Sequence, residues 1–165
     1  RVDPMKDHQT LLEAFKKIKL FFPNVILILA GIGTEKYINE EKVIALGAYK
    51  NIHEVYSASD IIISSSAFGE GFSNAIGEGM ASGLIPISTD VGDAKEIIGD
   101  KGIVVPVRDK NKMHDAIKEV LNFDKYEFNI RKNEVRERIV NKYTKEKMVL
   151  NYKNIYNSII NGVEN

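Results

Sequence analysis

The chain contains no cysteine, so it has neither a disulfide framework nor a thiolate metal site. That absence fits a reducing compartment. Neither sign of charge dominates: Lys+Arg and Asp+Glu both number 23, and nothing in this balance points to nucleic acid. No apolar run approaches the roughly 20 residues of a membrane span, and no signal peptide is visible. The three histidines, His8, His53 and His114, are scattered, none beside a second ligand at metal spacing, so no metal site is expected. Asp7 or His8 reads as the cap of the first helix, His53 as a helix cap and His114 as a helix-surface residue. An initiator methionine is lacking too. Arg1-Val2-Asp3-Pro4 opens with charge at once, so the chain is expected to be a fragment of something longer, while Ile159 to Asn165 fade into polar residues like an ordinary chain end. The 165 residues that remain suffice for one domain with a well-buried core.

Apolar periodicity supplies the elements. Leu11, Leu12, Phe15 and Ile18 recur at helical spacing, and Phe21-Phe22-Pro23-Asn24 stops that helix. Residues 25–30 are a continuous apolar run, as expected for a strand buried on both faces. Gly31-Ile32-Gly33-Thr34 turns the chain into a short polar helix over 35–41. Strands follow at 43–46, 61–64, 85–88 and 102–105, with short helices over 53–58 and around Glu96. The helix between the third and fourth strands begins near Ser73 or Asn74, stacks Ile76, Met80 and Leu84 on one face, and ends at Gly83. Asp109 or Asn111 caps a helix over 112–121, and helical stretches cover 124–140 and 145–160. The charges of 131–147 alternate in sign and read as a solvated helix face rather than a basic membrane stripe. Strand–helix alternation predicts an α/β fold with a parallel sheet and helices on both faces. Ligands in such sheets bind beyond the carboxyl ends of the strands.

One stretch on that edge stands out, Phe68-Gly69-Glu70-Gly71-Phe72-Ser73 through Glu78-Gly79-Met80-Ala81-Ser82-Gly83. Seven residues separate Glu70 from Glu78, and glycines flank both. The four flanking glycines need a reason such as close backbone approach, the more so because an interior glycine costs a helix about 1 kcal/mol relative to alanine. The helix N-terminus just beyond offers free N–H groups and partial positive charge, which suits a phosphate. Gly31-Ile32-Gly33 follows a strand, but no third glycine or acidic partner completes a dinucleotide fingerprint.

The stretch from Phe68 to Pro86 resembles the Glu–seven residues–Glu motif of retaining GT-B glycosyltransferases, glycosyltransferase family four. Thr89-Asp90-Val91-Gly92-Asp93 with Glu96, and Gly102-Ile103-Val104-Val105-Pro106, resemble that family's next two blocks. Arg1 to His8 resembles the opening of its donor-binding domain. The likeness runs in order from Arg1 to about Asp109. It departs at Ser73, where proline is frequent, at Gly79, where alanine is usual, and at Asp93, where a second glycine is usual.

The resemblance implies a Rossmann-like parallel sheet forming the C-terminal, nucleotide-sugar-binding half of a GT-B fold over residues 1–165, with the acceptor domain and the first strand absent. It implies hexosyl transfer from a nucleotide-diphosphate sugar to a hydroxyl with retention, in cell-surface polysaccharide or glycolipid synthesis. Glu70 would hold donor-sugar hydroxyls and Glu78 the ribose. Gly71, Phe72, Ser73 and Asn74 would line the sugar and pyrophosphate through backbone amides. Arg1 and Lys6 would bind the diphosphate, where a fixed cation meets the charge of the leaving group. Gly31 and Gly33 would form a donor-site loop, and Ile52 a backbone contact to the base, with Tyr49 stacking; an ordinary surface loop competes with that last reading. No cofactor is implied beyond the donor itself. The implied partners are the nucleotide sugar, the missing N-terminal domain, an acceptor glycan or lipid, and a peripheral membrane contact of the whole enzyme at the cytoplasmic face. The fragment alone is expected to bind donor weakly and turn it over poorly. Two alternatives stay open: a nucleotide-sugar-binding module without catalysis, and another GT-B enzyme such as a sugar-nucleotide epimerase.

Overall fold

A computed structural model describes residues 1–162; the polar end over 163–165 lies outside the described residues. A 3-10 turn, Pro4–Lys6, leads into α1 (His8–Phe21). Asp7 caps this helix, accepting from the Thr10 N–H at 3.3 Å and the Thr10 hydroxyl at 2.6 Å. His8 is therefore the first helical residue and not the cap, because a carboxylate reaches the free amides better. Strand β1 (Leu27–Ala30) begins two residues later than the apolar run, and Ile26 is left exposed. A 3-10 turn, Thr34–Tyr37, replaces the expected polar helix, and β2 (Val43–Gly47) follows. In α2 (Ile52–Ser57), Asn51 takes the capping position and His53 lies inside the helix, correcting its expected role.

The remaining elements fall close to expectation. They are β3 (Ile61–Ser64), α3 (Asn74–Ala81), β4 (Ile85–Thr89), α4 (Ala94–Ile98), β5 (Ile103–Val105), α5 (Lys110–Leu121), α6 (Lys125–Lys142) and α7 (Lys145–Gly162). Gly83 sits just past α3 at φ 83°, a left-handed turn that favours glycine. Every strand pairing is parallel. The single sheet expected from the sequence is, however, two: β1 pairs only with β2, and β3-β4-β5 form a separate sheet. β4 lies at the centre of its sheet and is buried throughout, whereas every residue of β3 keeps partial exposure.

Helices cover both faces. Leu11, Phe15 and Ile18 of α1 and Met113, Ile117 and Val120 of α5 pack with Leu27, Leu29, Ile85 and Ile87. On the other face Ile76 and Met80 of α3, Ile97 and Ile98 of α4, and Val135 and Ile139 of α6 form a second cluster, closed by Ile62. The charged face of α6 is not merely solvated. Arg138 donates Nε to the Ile97 carbonyl at 2.7 Å and an Nη to the Glu96 carbonyl at 2.6 Å, and Arg136 donates to the Ala81 carbonyl at 2.5 Å. These arginines neutralise the carbonyl-rich ends of α3 and α4. His114, expected at a surface, has its Nε2 buried without a partner among the described residues. α7 is exposed along its length through Asn161. No helix among the described residues is long and apolar enough to cross a membrane.

Candidate functional site

The site forms where the chain's first turn meets the loop after β3. The buried Ser65 hydroxyl donates to the Lys6 carbonyl at 2.8 Å, and the Ala67 N–H donates to the Met5 carbonyl at 2.7 Å. These bonds bring Lys6 to Glu70 across a sequence separation of 64, with Nζ 2.5 Å from Oε1. The Ser66 hydroxyl donates to the same oxygen at 2.6 Å. Ser66 is itself held from below, since the Thr89 hydroxyl at the end of β4 donates to its carbonyl at 2.6 Å. Burial raises the Glu70 pKa, but the hydrogen bonds from Lys6 and Ser66 and the Lys6 charge outweigh it and hold the carboxyl below its ordinary value. Both bonds fall on Oε1; among the described residues Oε2 takes none and is left to accept from a ligand. Lys6 has three N–H donors and gives one to Glu70.

The loop that carries Glu70 rests on the turn after β4. A Cβ on Gly92, at φ 57°, would lie 2.4 Å from the Glu70 carbonyl oxygen, and the Asp93 N–H donates to the Gly71 carbonyl at 3.3 Å. Asp93, the departure from the family pattern, occupies the capping position of α4 without a side-chain bond. Gly71 faces open space. The exposed Phe72 leans on Tyr143, ring centres 5.4 Å apart, and over Gly77, where a Cβ would come within 3.2 Å of its ring. Buried Ser73 sits at the capping position of α3, but its hydroxyl makes no capping bond. That leaves the first-turn N–H groups beside exposed Asn74 available to an anion.

Glu78, one turn further along α3, is exposed. The Tyr56 hydroxyl on α2 donates to its Oε2 at 3.0 Å. Burial, then that carboxylate, push the Tyr56 phenol up to about 12, so it remains a donor at neutral pH. Gly79 has a packing reason: a Cβ there would come 2.9 Å from Ile62, so its absence lets α3 lie close against β3.

The other expected residues gather less tightly. Arg1 is mostly exposed and pairs with Asp3 at 3.4 Å. Gly31 and Gly33, at φ 137° and 87°, make room for the first residues of the chain: Cβ atoms there would lie 2.7 Å from the Arg1 nitrogen and 3.2 Å from Val2 Cβ. Ile52 opens α2, and the Tyr49 hydroxyl is engaged by Glu54 at 2.6 Å. Sequence reasoning missed Ser66, Thr89 and Tyr56 as supports. The run Ser64-Ser65-Ser66 directly after an apolar strand was a readable signal for the first. Nothing in a short helix singles out Tyr56.

Parallel strands covered on both faces, with polar loops at their carboxyl edge, define a Rossmann-like domain; folds of this kind bind ligands at that edge. The chain belongs to the family Glycosyl transferases group 1, whose model matches residues 1–122. It is 33% identical over 134 residues to the N-acetylgalactosamine-N,N'-diacetylbacillosaminyl-diphospho-undecaprenol 4-alpha-N-acetylgalactosaminyltransferase of Campylobacter jejuni, covering 76% of this chain and 36% of that protein. It is 29% identical to the N-acetyl-alpha-D-glucosaminyl L-malate synthase of Bacillus anthracis, covering 98% and 44%. The chain thus spans less than half the length of these relatives. Its fold superposes on a Rickettsia africae glycosyltransferase with a TM-score of 0.82 at 24% identity, covering 97% of this chain and 46% of that one. The C-terminal domain of a Francisella tularensis group 1 glycosyl transferase matches with a TM-score of 0.74 at 23% identity, covering 88% and 83%. These are GT-B folds, and the likeness is to their C-terminal half.

Proposed function

We propose that this chain is the donor-binding half of a glycosyltransferase that moves a hexosyl group from a nucleotide-diphosphate sugar to a hydroxyl acceptor, with retention at the anomeric carbon. The observation that carries the reading is the Lys6–Glu70 pair beside the open N-terminus of α3. A carboxylate with one free oxygen suits sugar hydroxyls, while an ammonium with spare donors and a helix N-terminus suit a diphosphate. Glu78, steadied by Tyr56, would hold the ribose, and Ile52 a backbone contact to the base. Charge on the departing diphosphate is met by Lys6, Arg1 and the α3 amides, which act more strongly on the transition state than on the ground state. The reading assigns the reaction no resident metal or cofactor. One structural neighbour, Anabaena HepE, was solved with UDP-glucose (TM-score 0.80, 20% identity, covering 96% of this chain and 47% of that one), which supports a sugar nucleotide as the donor.

The acceptor would sit across a cleft on an N-terminal domain, so this chain alone binds donor weakly and transfers poorly. Relatives whose names include undecaprenol and phosphatidyl-myo-inositol support a lipid-linked product; the proposal places its synthesis at the cytoplasmic face of a membrane. A thermal-shift screen of UDP-, GDP- and ADP-sugars on the intact enzyme tests the reading. A donor at about 100 times its Kd should add about 2.7 kcal/mol of stability. No shift with any of them sinks the donor site. A shift without transfer to any acceptor leaves a binding module, and epimerised nucleotide sugar in the absence of acceptor makes it an epimerase.

A further inference from the structure

The residues between Glu70 and the capping position of α3 have little backbone support. The Gly71 carbonyl accepts from the Asp93 N–H at 3.3 Å, and among the described residues the N–H groups of Gly71 and Phe72 have no partner. Both residues are exposed, and a Cβ on Gly71 would meet nothing within 4 Å. Amides left to water on an open segment keep their conformational freedom and have no fixed aim. The side chain of Phe72 supplies the anchor that this backbone lacks. Its ring lies over Gly77, where a Cβ would come 3.2 Å from it, and against Tyr143, with ring centres 5.4 Å apart and planes at 60°. That spacing is favourable for an aromatic pair.

Tyr143 is itself fixed on its other sides. Its N–H donates to the Ile139 carbonyl at 2.8 Å and closes α6. Its hydroxyl donates to the Glu96 carbonyl in α4 at 3.0 Å, beside the Arg138 guanidinium on the same oxygen. Its ring packs against the apolar cluster shared by α3, α4 and α6. We propose that Tyr143 is a positioning residue of the donor site: through Phe72 it holds the Gly71 and Phe72 N–H groups in one orientation, turned to the ligand. That those amides meet a sugar diphosphate rests on the donor reading; how they are held rests on packing alone. Tyr143 touches no ligand in this scheme. It removes freedom that the segment would otherwise lose on binding, so its effect falls on donor affinity and not on the chemical step.

Amide order parameters from nuclear magnetic relaxation, taken on the intact enzyme without nucleotide, test the brace directly. Gly71 and Phe72 should read about 0.85 in the unaltered protein and in Tyr143→Phe, and should fall below about 0.6 in Tyr143→Leu. Low values in the unaltered protein overturn the proposal, as do values that stay high in Tyr143→Leu. Phe72→Leu leaves Tyr143 and the end of α6 in place and should loosen the same amides, so the test stands even where Tyr143→Leu does not fold. A segment that stays rigid without the Phe72 ring overturns the proposal. In donor titrations Tyr143→Leu should raise the donor KM about fivefold with kcat little changed, and Tyr143→Phe should keep the unaltered value. The double variant should match Phe72→Leu alone, and KM changes that multiply overturn the coupling. An enzyme that binds no nucleotide sugar removes the donor reading, whereas the order parameters still decide for or against the brace.

Discussion

Lys6 and Glu70 meet across a sequence separation of 64, and their pairing has a measurable pH signature. The Glu70 pKa is lower in the folded chain than in the unfolded one. Its stabilisation is therefore present above the ordinary carboxylate range and is lost as pH falls through the folded value. Glu70→Gln should lower stability at pH 7 by about 1 kcal/mol, and the gap from the unaltered protein should close as pH drops below about 4, as thermal melts in a pH series would read. A gap that is constant with pH would assign the loss to packing alone. On the proposed reading Tyr56 acts through Glu78, to which its hydroxyl donates, and is a positioning residue. Tyr56→Phe in the intact enzyme should cost about 1 kcal/mol of donor binding, or about fivefold in KM, with kcat little changed. Gly92→Ala should be severe, since a left-handed residue would also drive its Cβ into the Glu70 carbonyl, 2.4 Å away. Donor affinity should fall with it, as isothermal titration would show.

At the element scale, α6 fixes the ends of α3 and α4 through arginine–carbonyl bonds. Arg138→Met removes the charged donors at Ile97 and Glu96 and should destabilise the domain by about 2 kcal/mol, seen as a fall of about 4–8 °C in Tm. These contacts are invisible in a charge pattern. Arg136 and Arg138 alternate with Glu134 and Glu137 just as a solvated face does, and only the packing of Val135 and Ile139 turns the arginines toward other helices. The positions of β2, β3, β4 and α3 were legible because apolar runs, a breaker and a glycine stop coincide there. Of the two caps the sequence offers for α1, Asp7 takes the position and His8 does not; His53 lies inside α2, behind Asn51, whose side chain makes no capping bond.

For the whole molecule, α7 contributes little to this domain's own core. Met148, Val149, Tyr152, Ile155, Tyr156 and Ile159 are all exposed along it. Ending the chain after Thr144 should leave Tm unchanged within about 1 °C, because surface removal away from packing shifts stability little. A large drop in a thermal melt would show that α7 packs on the domain in solution.

The sequence by itself determined the parallel α/β class, and it pointed to the carboxyl edge and the glutamate loop, where the proposed site lies. Those follow from local periodicity, glycine punctuation and the topology rules of parallel sheets. Only the tertiary structure decided that Lys6 answers Glu70, that Tyr56 steadies Glu78, that Gly31 and Gly33 make room for the chain's own first residues, and that the strands fall into two sheets. Each of these rests on contacts between segments distant in the chain. Spacing along a sequence carries no measure of such distances.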